Sequence, residues 1–185
     1  MVEIIEKLKV EVHETAAQKR DWKPAYRQLM QEVFNQDVLF FALSLGNYDE
    51  QTHSSVPLLS TKDFGGQPAL YVFTDVNTAG GWMSAYKNVS PDMQYGLIGA
   101  VSKEHNFLYV FETARAMGAS MIMLDEGGKW IGLDMNTFFE VNGLSTSEVS
   151  MVMTQEEMQE LTSDPTKSVS LHFARIPAIP LKKSN

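Results

Sequence analysis

The sequence contains no cysteine. That excludes disulfides, thiolate metal sites and a cysteine nucleophile, and it fits a chain made for a reducing cytoplasm. Long apolar stretches are missing too. The longest continuous run is Val38–Leu43, far short of the about 20 residues that cross a bilayer, so no membrane partner is expected. The opening residues Met1-Val2-Glu3-Ile4-Ile5-Glu6-Lys7 carry acids where a secretory signal carries basic and then apolar residues, so no signal peptide is expected. Basic residues are in short supply: 15 Lys and Arg stand against 23 Asp and Glu, a net charge of −8. Such a surface repels a phosphate backbone, and the Lys182-Lys183 pair is no basic block, so no nucleic acid is expected as a partner. There is no internal repeat, heptad or low-complexity segment, and no GxSxG, Walker-type or GxGxxG motif.

What remains is 185 residues, 44% of them hydrophobic and 10% aromatic. A chain of this length buries roughly 70% of its unfolded surface, which predicts one core. Ile4 to Lys19 reads as a helix with a weak apolar face (Ile4, Ile5, Leu8, Val12, Ala16), suited to loose packing or to a partner. Pro24 suits a helix first turn, and Tyr26, Leu29, Met30, Val33 and Phe34 form a stripe, giving a helix over Ala25–Phe34. Val38–Leu45 and Ala69–Phe73 are continuous apolar runs, predicted as strands buried on both faces. Val56–Ser60 contains Pro57 and reads as an edge strand. Thr74-Asp75 feeds a helix over Asn77–Tyr86 through an N-cap side chain. Tyr95–Val101 is β-prone. Lys103–Met117 reads as a helix closed by Gly118. Ser120–Leu124, the turn Asp125-Glu126-Gly127-Gly128 and Lys129–Leu133 read as strand, turn, strand, and Asp134 caps a short helix. Beyond this, Val149–Met153 alternates, Gln155–Leu161 follows a capping box, and Ser168–Arg175 reads as an alternating strand closed by Pro177 and Pro180. The expected architecture is a single α+β domain: N-terminal helices over 1–35, a core over 36–144, and a strand-helix-strand extension over 145–185. Its central sheet is mixed or mostly antiparallel and covered by helices.

Chemistry is sparse. His13, His53, His105 and His172 show no metal-ligand spacing, and the pairs Gly65-Gly66, Gly80-Gly81 and Gly127-Gly128 lack the layout that cradles phosphate. No catalytic residue, metal or cofactor is expected. The 11 methionines read as adaptable core filling, the alternative being a partner-binding groove. The most site-like segment is Phe73 to Trp82. It places Thr74, Asp75, Asn77 and Trp82 after a buried strand and beside a helix start, where open α/β sheets take ligands. These four residues are the ligand-binding candidates. The plainer reading of the same segment is an Asp75 or Asn77 cap, with Trp82 docking the helix on the sheet.

Pro68-Ala69-Leu70-Tyr71-Val72-Phe73-Thr74-Asp75 followed by Trp82 resembles the strand, Thr-Asp and Trp stretch of SseB-type proteins, the bacterial enhanced-serine-sensitivity family. The strand Val38–Leu45, Gly118-Ala119-Ser120-Met121-Ile122-Met123-Leu124 and Trp130-Ile131-Gly132-Leu133 fall in matching order, so the resemblance spans Gln36 to Leu144. It departs at Asp125–Gly128, where the family often has an Asn-Pro-Gly-like turn. The resemblance implies an α+β fold and a bacterial cytoplasmic protein, and brings no catalytic residues. The expected function is therefore a non-catalytic binding or regulatory protein. The rivals are an enzyme or metabolite-binding protein acting on a small polar metabolite, and a toxin-neutralising or secretion-associated partner protein whose acidic surface suits a basic target. A homodimer is expected, through the C-terminal segment or the first helix, along with a protein partner.

Overall fold

The structure, a computed structural model, describes residues 2–60, 66–86, 95–103, 108–144 and 176–182. In chain order the elements are α1 (Val2–Ala17), α2 (Lys23–Phe34), β1 (Val38–Ala42), β2 (Ser54–Ser55), β3 (Leu59–Ser60), β4 (Ala69–Phe73), α3 (Val76–Tyr86), β5 (Tyr95–Ser102), α4 (Leu108–Ala116), β6 (Met121–Leu124), β7 (Ile131–Asp134), α5 (Met135–Val141) and β8 (Ile176–Lys182). The strands form one mixed sheet in the order β2-β8-β5-β1-β4-β6-β7, with β3 also on β4. Among the described strands β4 and β6 pair parallel and the other pairs are antiparallel. The expected α+β class and mostly antiparallel sheet are what the chain forms.

Alternation along the strands gives the sheet two apolar faces. Leu39, Phe41, Leu70, Val72, Leu97, Ile122, Leu124 and Leu133 pack with α1, α2, α4 and α5. Ala42, Ala69, Tyr71, Phe73, Ile98 and Met123 face Ala79, Trp82 and Met83 of α3. Helices on both sides explain why β4 carries no charged residue. Met30, Met83, Met123 and Met135 are buried filling, while Met151, Met153 and Met158 lie outside the described residues. Asp134 caps α5 by accepting the Thr137 amide at 2.7 Å. Gly118, at φ +94, ends the α4 segment, with the Ala119 amide bonded back to the Ala114 carbonyl.

Four expectations are corrected. First, α1 is not loosely packed: Ile5, Leu8 and Val12 join the core, and its chief neighbour is α2. Second, the apolar run from Val38 does not stay in one strand to Leu45. It stops pairing β4 after Ala42, where Leu43 bridges Pro57 instead, although the Leu43 amide still bonds β5. The chain then returns to β4 at Leu59. Phe41 pairs Val72 and Leu59 pairs Leu70, while the Leu58 amide donates to the Ala42 carbonyl at 2.8 Å. β1 and β3 are one strand line with residues 43–58 looped out of it, so the edge strand predicted over Val56–Ser60 is only Leu59–Ser60. Third, the helix predicted over Lys103–Met117 is described over Leu108–Ala116, and the Lys103 amide ahead of it donates to the Asp37 carbonyl at 2.8 Å. Fourth, Pro177 and Pro180 do not close a strand; β8 runs through both. The strands predicted over Val149–Met153 and Ser168–Arg175 and the helix over Gln155–Leu161 lie outside the described residues.

Backbone parity explains how β8 accommodates its prolines. The Leu43 amide donates to the Leu97 carbonyl at 3.0 Å, so odd-numbered residues of β5 bond β1 and even-numbered ones bond β8. With Ile98 opposite Ile179, Ile179 and Leu181 turn their amides to β5. Ala178, Pro180 and Lys182 turn theirs outward, past the two residues that β2 covers. Pro180 thus lacks an N–H only where the ladder needs none, and it blunts that edge. Pro177 lies one step beyond the last β5 pairing, Gly99 with Ala178.

The other end of the sheet is closed differently. The Met135 amide donates to the Ser120 carbonyl, which by the same parity points the backbone groups of Trp130, Gly132 and Asp134 away from β6. Side chains of the N-terminal helices meet them. The Tyr26 hydroxyl donates to the Gly132 carbonyl at 3.1 Å and accepts the Asp134 amide at 2.8 Å. His13 Nε2 donates to the Trp130 carbonyl at 3.1 Å.

Candidate functional site

β4 and β6 end side by side, and the polar residues that follow them meet. The parallel ladder continues through the Asp125 amide, which donates to the Val72 carbonyl at 2.9 Å. There the β6 chain turns: Asp125 takes φ +54, and its carbonyl accepts the Gly128 amide at 3.2 Å. The ladder acceptor for the next β4 amide, that of Thr74, is therefore lost. The Asp125 carboxylate supplies it instead, Oδ1 accepting the Thr74 amide at 2.7 Å and Oδ2 the Thr74 hydroxyl at 2.9 Å. Asp125 is 3% exposed. Its charge is met by Lys9 of α1, which is 0% exposed and donates from Nζ to Oδ2 at 2.9 Å. Lys9 also pairs with Glu6 one turn earlier.

Gly127 brings this turn against α3. At φ +93 it holds a conformation that favours glycine, and a Cβ there would lie 3.3 Å from the Trp82 Cα. Trp82 lies over Tyr71 and Phe73, ring centroids 4.7 and 5.6 Å apart, and its Nε1 donates to buried Glu126 at 3.0 Å. Asp75 caps α3: Oδ1 accepts the Asn77 and Thr78 amides, each at 2.9 Å, and Oδ2 accepts the Thr78 hydroxyl. Partial burial by itself raises the Asp75 carboxyl. The Thr78 hydroxyl, the two amides and the charge of Lys9 outweigh it and hold the group below the usual carboxylate range.

Of the residues singled out in the sequence, Thr74, Asp75 and Trp82 stand at this one end of the sheet, and Asn77 is exposed on the first turn of α3. Thr74 serves Asp125, Asp75 serves the helix start, and Trp82 serves Glu126 and the sheet. Lys9, Asp125 and Glu126 escaped sequence reasoning. Lys9 carried a signal: with Ile5, Leu8 and Val12 it completes an i, i+3, i+4, i+7 stripe, so the pattern places it on the buried face. Among the described residues no group of three or more His, Cys, Asp or Glu is placed to hold a metal ion, and no helix is long and apolar enough to cross a membrane. No protein-family model matches the chain, and neither does any curated protein or solved structure.

Proposed function

We propose that the protein is a non-catalytic binding or regulatory protein of the SseB-like kind, acting in the cytoplasm. The observation that carries this reading is that the polar side chains beyond β4 and β6 are committed to one another. Thr74 and Lys9 hold Asp125, Trp82 holds Glu126, and Asp75 holds the start of α3. A small substrate would have to displace these internal partners before it could be bound. Recognition then falls to the outer surface, and two indoles flank β7 there. Trp130 is 47% exposed, and Trp22, 37% exposed, lies edge-on against Tyr26, whose hydroxyl sits on Gly132. Aromatic side chains are enriched at protein interfaces. A two-fold homodimer belongs to the same proposal. The stripe of α1 is buried within the chain, so these indoles or the C-terminal segment are its surfaces.

The test pairs two measurements. A thermal-shift screen of small polar metabolites should leave Tm unmoved; a saturable rise would favour the metabolite-binding or enzyme reading, because a ligand of the native state stabilises it by mass action. A stoichiometric partner captured from the host should be lost by Trp22→Ala or Trp130→Ala at unchanged Tm. Retention of that partner by both variants would overturn the surface. Light scattering at about 100 μM reads the homodimer directly, since a dimer of tighter affinity fills at that concentration.

A further inference from the structure

The N-terminal helices meet the β6–β7 hairpin through a small set of polar contacts. From α1, Lys9 reaches Asp125 in the turn and His13 reaches the Trp130 carbonyl. From α2, Tyr26 bridges Gly132 and Asp134. The two helices differ in how firmly they are held. α2 buries Ala25, Leu29, Met30 and Val33 and also packs on α5. α1 buries three apolar side chains and one lysine, and residues 18–22 that tie it to α2 are exposed.

The lysine decides the matter. A closed ion pair removes two charges from water, and its net contribution is small because opening returns both to solvent. Removing one partner is different, since the other is then stranded in the closed state. An element held by a few apolar side chains and such a pair opens easily as a unit, yet closes poorly when only one of the two charges is present. We infer that α1 is a releasable strap over the β6–β7 hairpin, with the Lys9–Asp125 pair as its latch. Release uncovers the Asp125 carboxylate with its bound Thr74, and the outward Trp130 carbonyl of the β7 edge, while the sheet and α2 stay folded. This device is independent of what the protein binds.

Native-state hydrogen exchange on the full chain, read against denaturant, tests it. In the wild type the α1 amides should exchange through an opening that hardly depends on denaturant, about tenfold or more faster than those of β4 and β6. Lys9→Met should raise α1 exchange about 100-fold further, because the closed state then strands Asp125. Lys9→Arg, which keeps the charge, should stay within about tenfold of the wild type. Coincidence of the α1 and β4 exchange curves at every denaturant concentration would overturn the strap. An α1 rate in Lys9→Met within about twofold of wild type would overturn the latch. A Lys9→Met chain that fails to fold would also count against both, since loss of a latch leaves the sheet intact.

Discussion

Replacing Asp125 by asparagine removes one charge and almost no volume. The amide oxygen still accepts the Thr74 N–H, and asparagine tolerates the positive φ of this position. Strain and packing therefore contribute little, and the loss is electrostatic: Lys9, at 0% exposure, faces an amide where it faced a carboxylate. Stranding a buried charge costs about 3–5 kcal/mol. Glu6, which also pairs with Lys9 and is partly exposed, should hold the effect to the lower end, about 3 kcal/mol. For a chain of this length 1 kcal/mol moves Tm by about 2–4 °C, so Asp125→Asn should melt about 6–12 °C below the wild type. Urea unfolding gives the free energy, and a cycle isolates the pair. Lys9→Met should be costly for the mirror reason, whereas the double variant, with no stranded charge, should lose at least about 2 kcal/mol less than the two single losses added together. Strict additivity, or an Asp125→Asn protein within about 0.5 kcal/mol of wild type, would refute the idea that the buried pair is an energetic unit.

Asp75→Ala should destabilise by about 0.5–2 kcal/mol through loss of the α3 cap. Because the folded Asp75 carboxyl lies below its ordinary value of 3.8, its contribution is present above that value and lost as pH falls through the folded one, so wild type and variant should converge in acid urea titrations. Tyr26→Phe removes a hydroxyl that serves two backbone groups of β7, a loss of about 1–3 kcal/mol, and the Asp134 amide should exchange faster. Burial holds the Tyr26 hydroxyl above its usual 10.0, so its contribution is complete below pH 10 and fades as pH rises through the folded value. Gly127→Ala should cost about 1–2 kcal/mol from backbone strain, and its Cβ against Trp82 should shift the indole emission.

Ala69–Phe73 could be read from sequence because an unbroken apolar run is what a strand covered on both faces demands, and both faces of β4 are covered. Pro24, Asp134 and Gly118 were legible because caps act within one turn of the residue that makes them. Leu43 and Pro180 were not. Nothing local distinguishes Leu43 from Ala42; the strand leaves because Leu59, far along the chain, takes the next place beside β4. Pro180 is tolerated through a parity set where β5 meets β1, two strands away. Asp125 and Glu126 were read as turn formers, which is half their role. The other half is to replace a ladder acceptor for Thr74 and to receive an indole N–H, and both follow from tertiary neighbours. The choice between a helix cap and a ligand group at Asp75 could not be made from composition, because both readings place a carboxylate at that spot.

The strand line shared by β1 and β3 bears on what the chain can lose or gain. Ala42 lies one place beyond Phe41, which pairs Val72, and Leu59 pairs Leu70, so a chain joined from Ala42 directly to Leu59 keeps both in step along β4. The inward and outward sense of every later residue is preserved, because the looped-out stretch enters and leaves the sheet at adjacent positions. Residues 43–58 are in this sense a splice: a hairpin set into a continuous strand without altering the reading frame of the sheet. Within it the exposed turn at residues 50–53 is the place where length can change, or where a foreign domain whose ends lie close together can be grafted, with β2 kept on β8 and the sheet undisturbed.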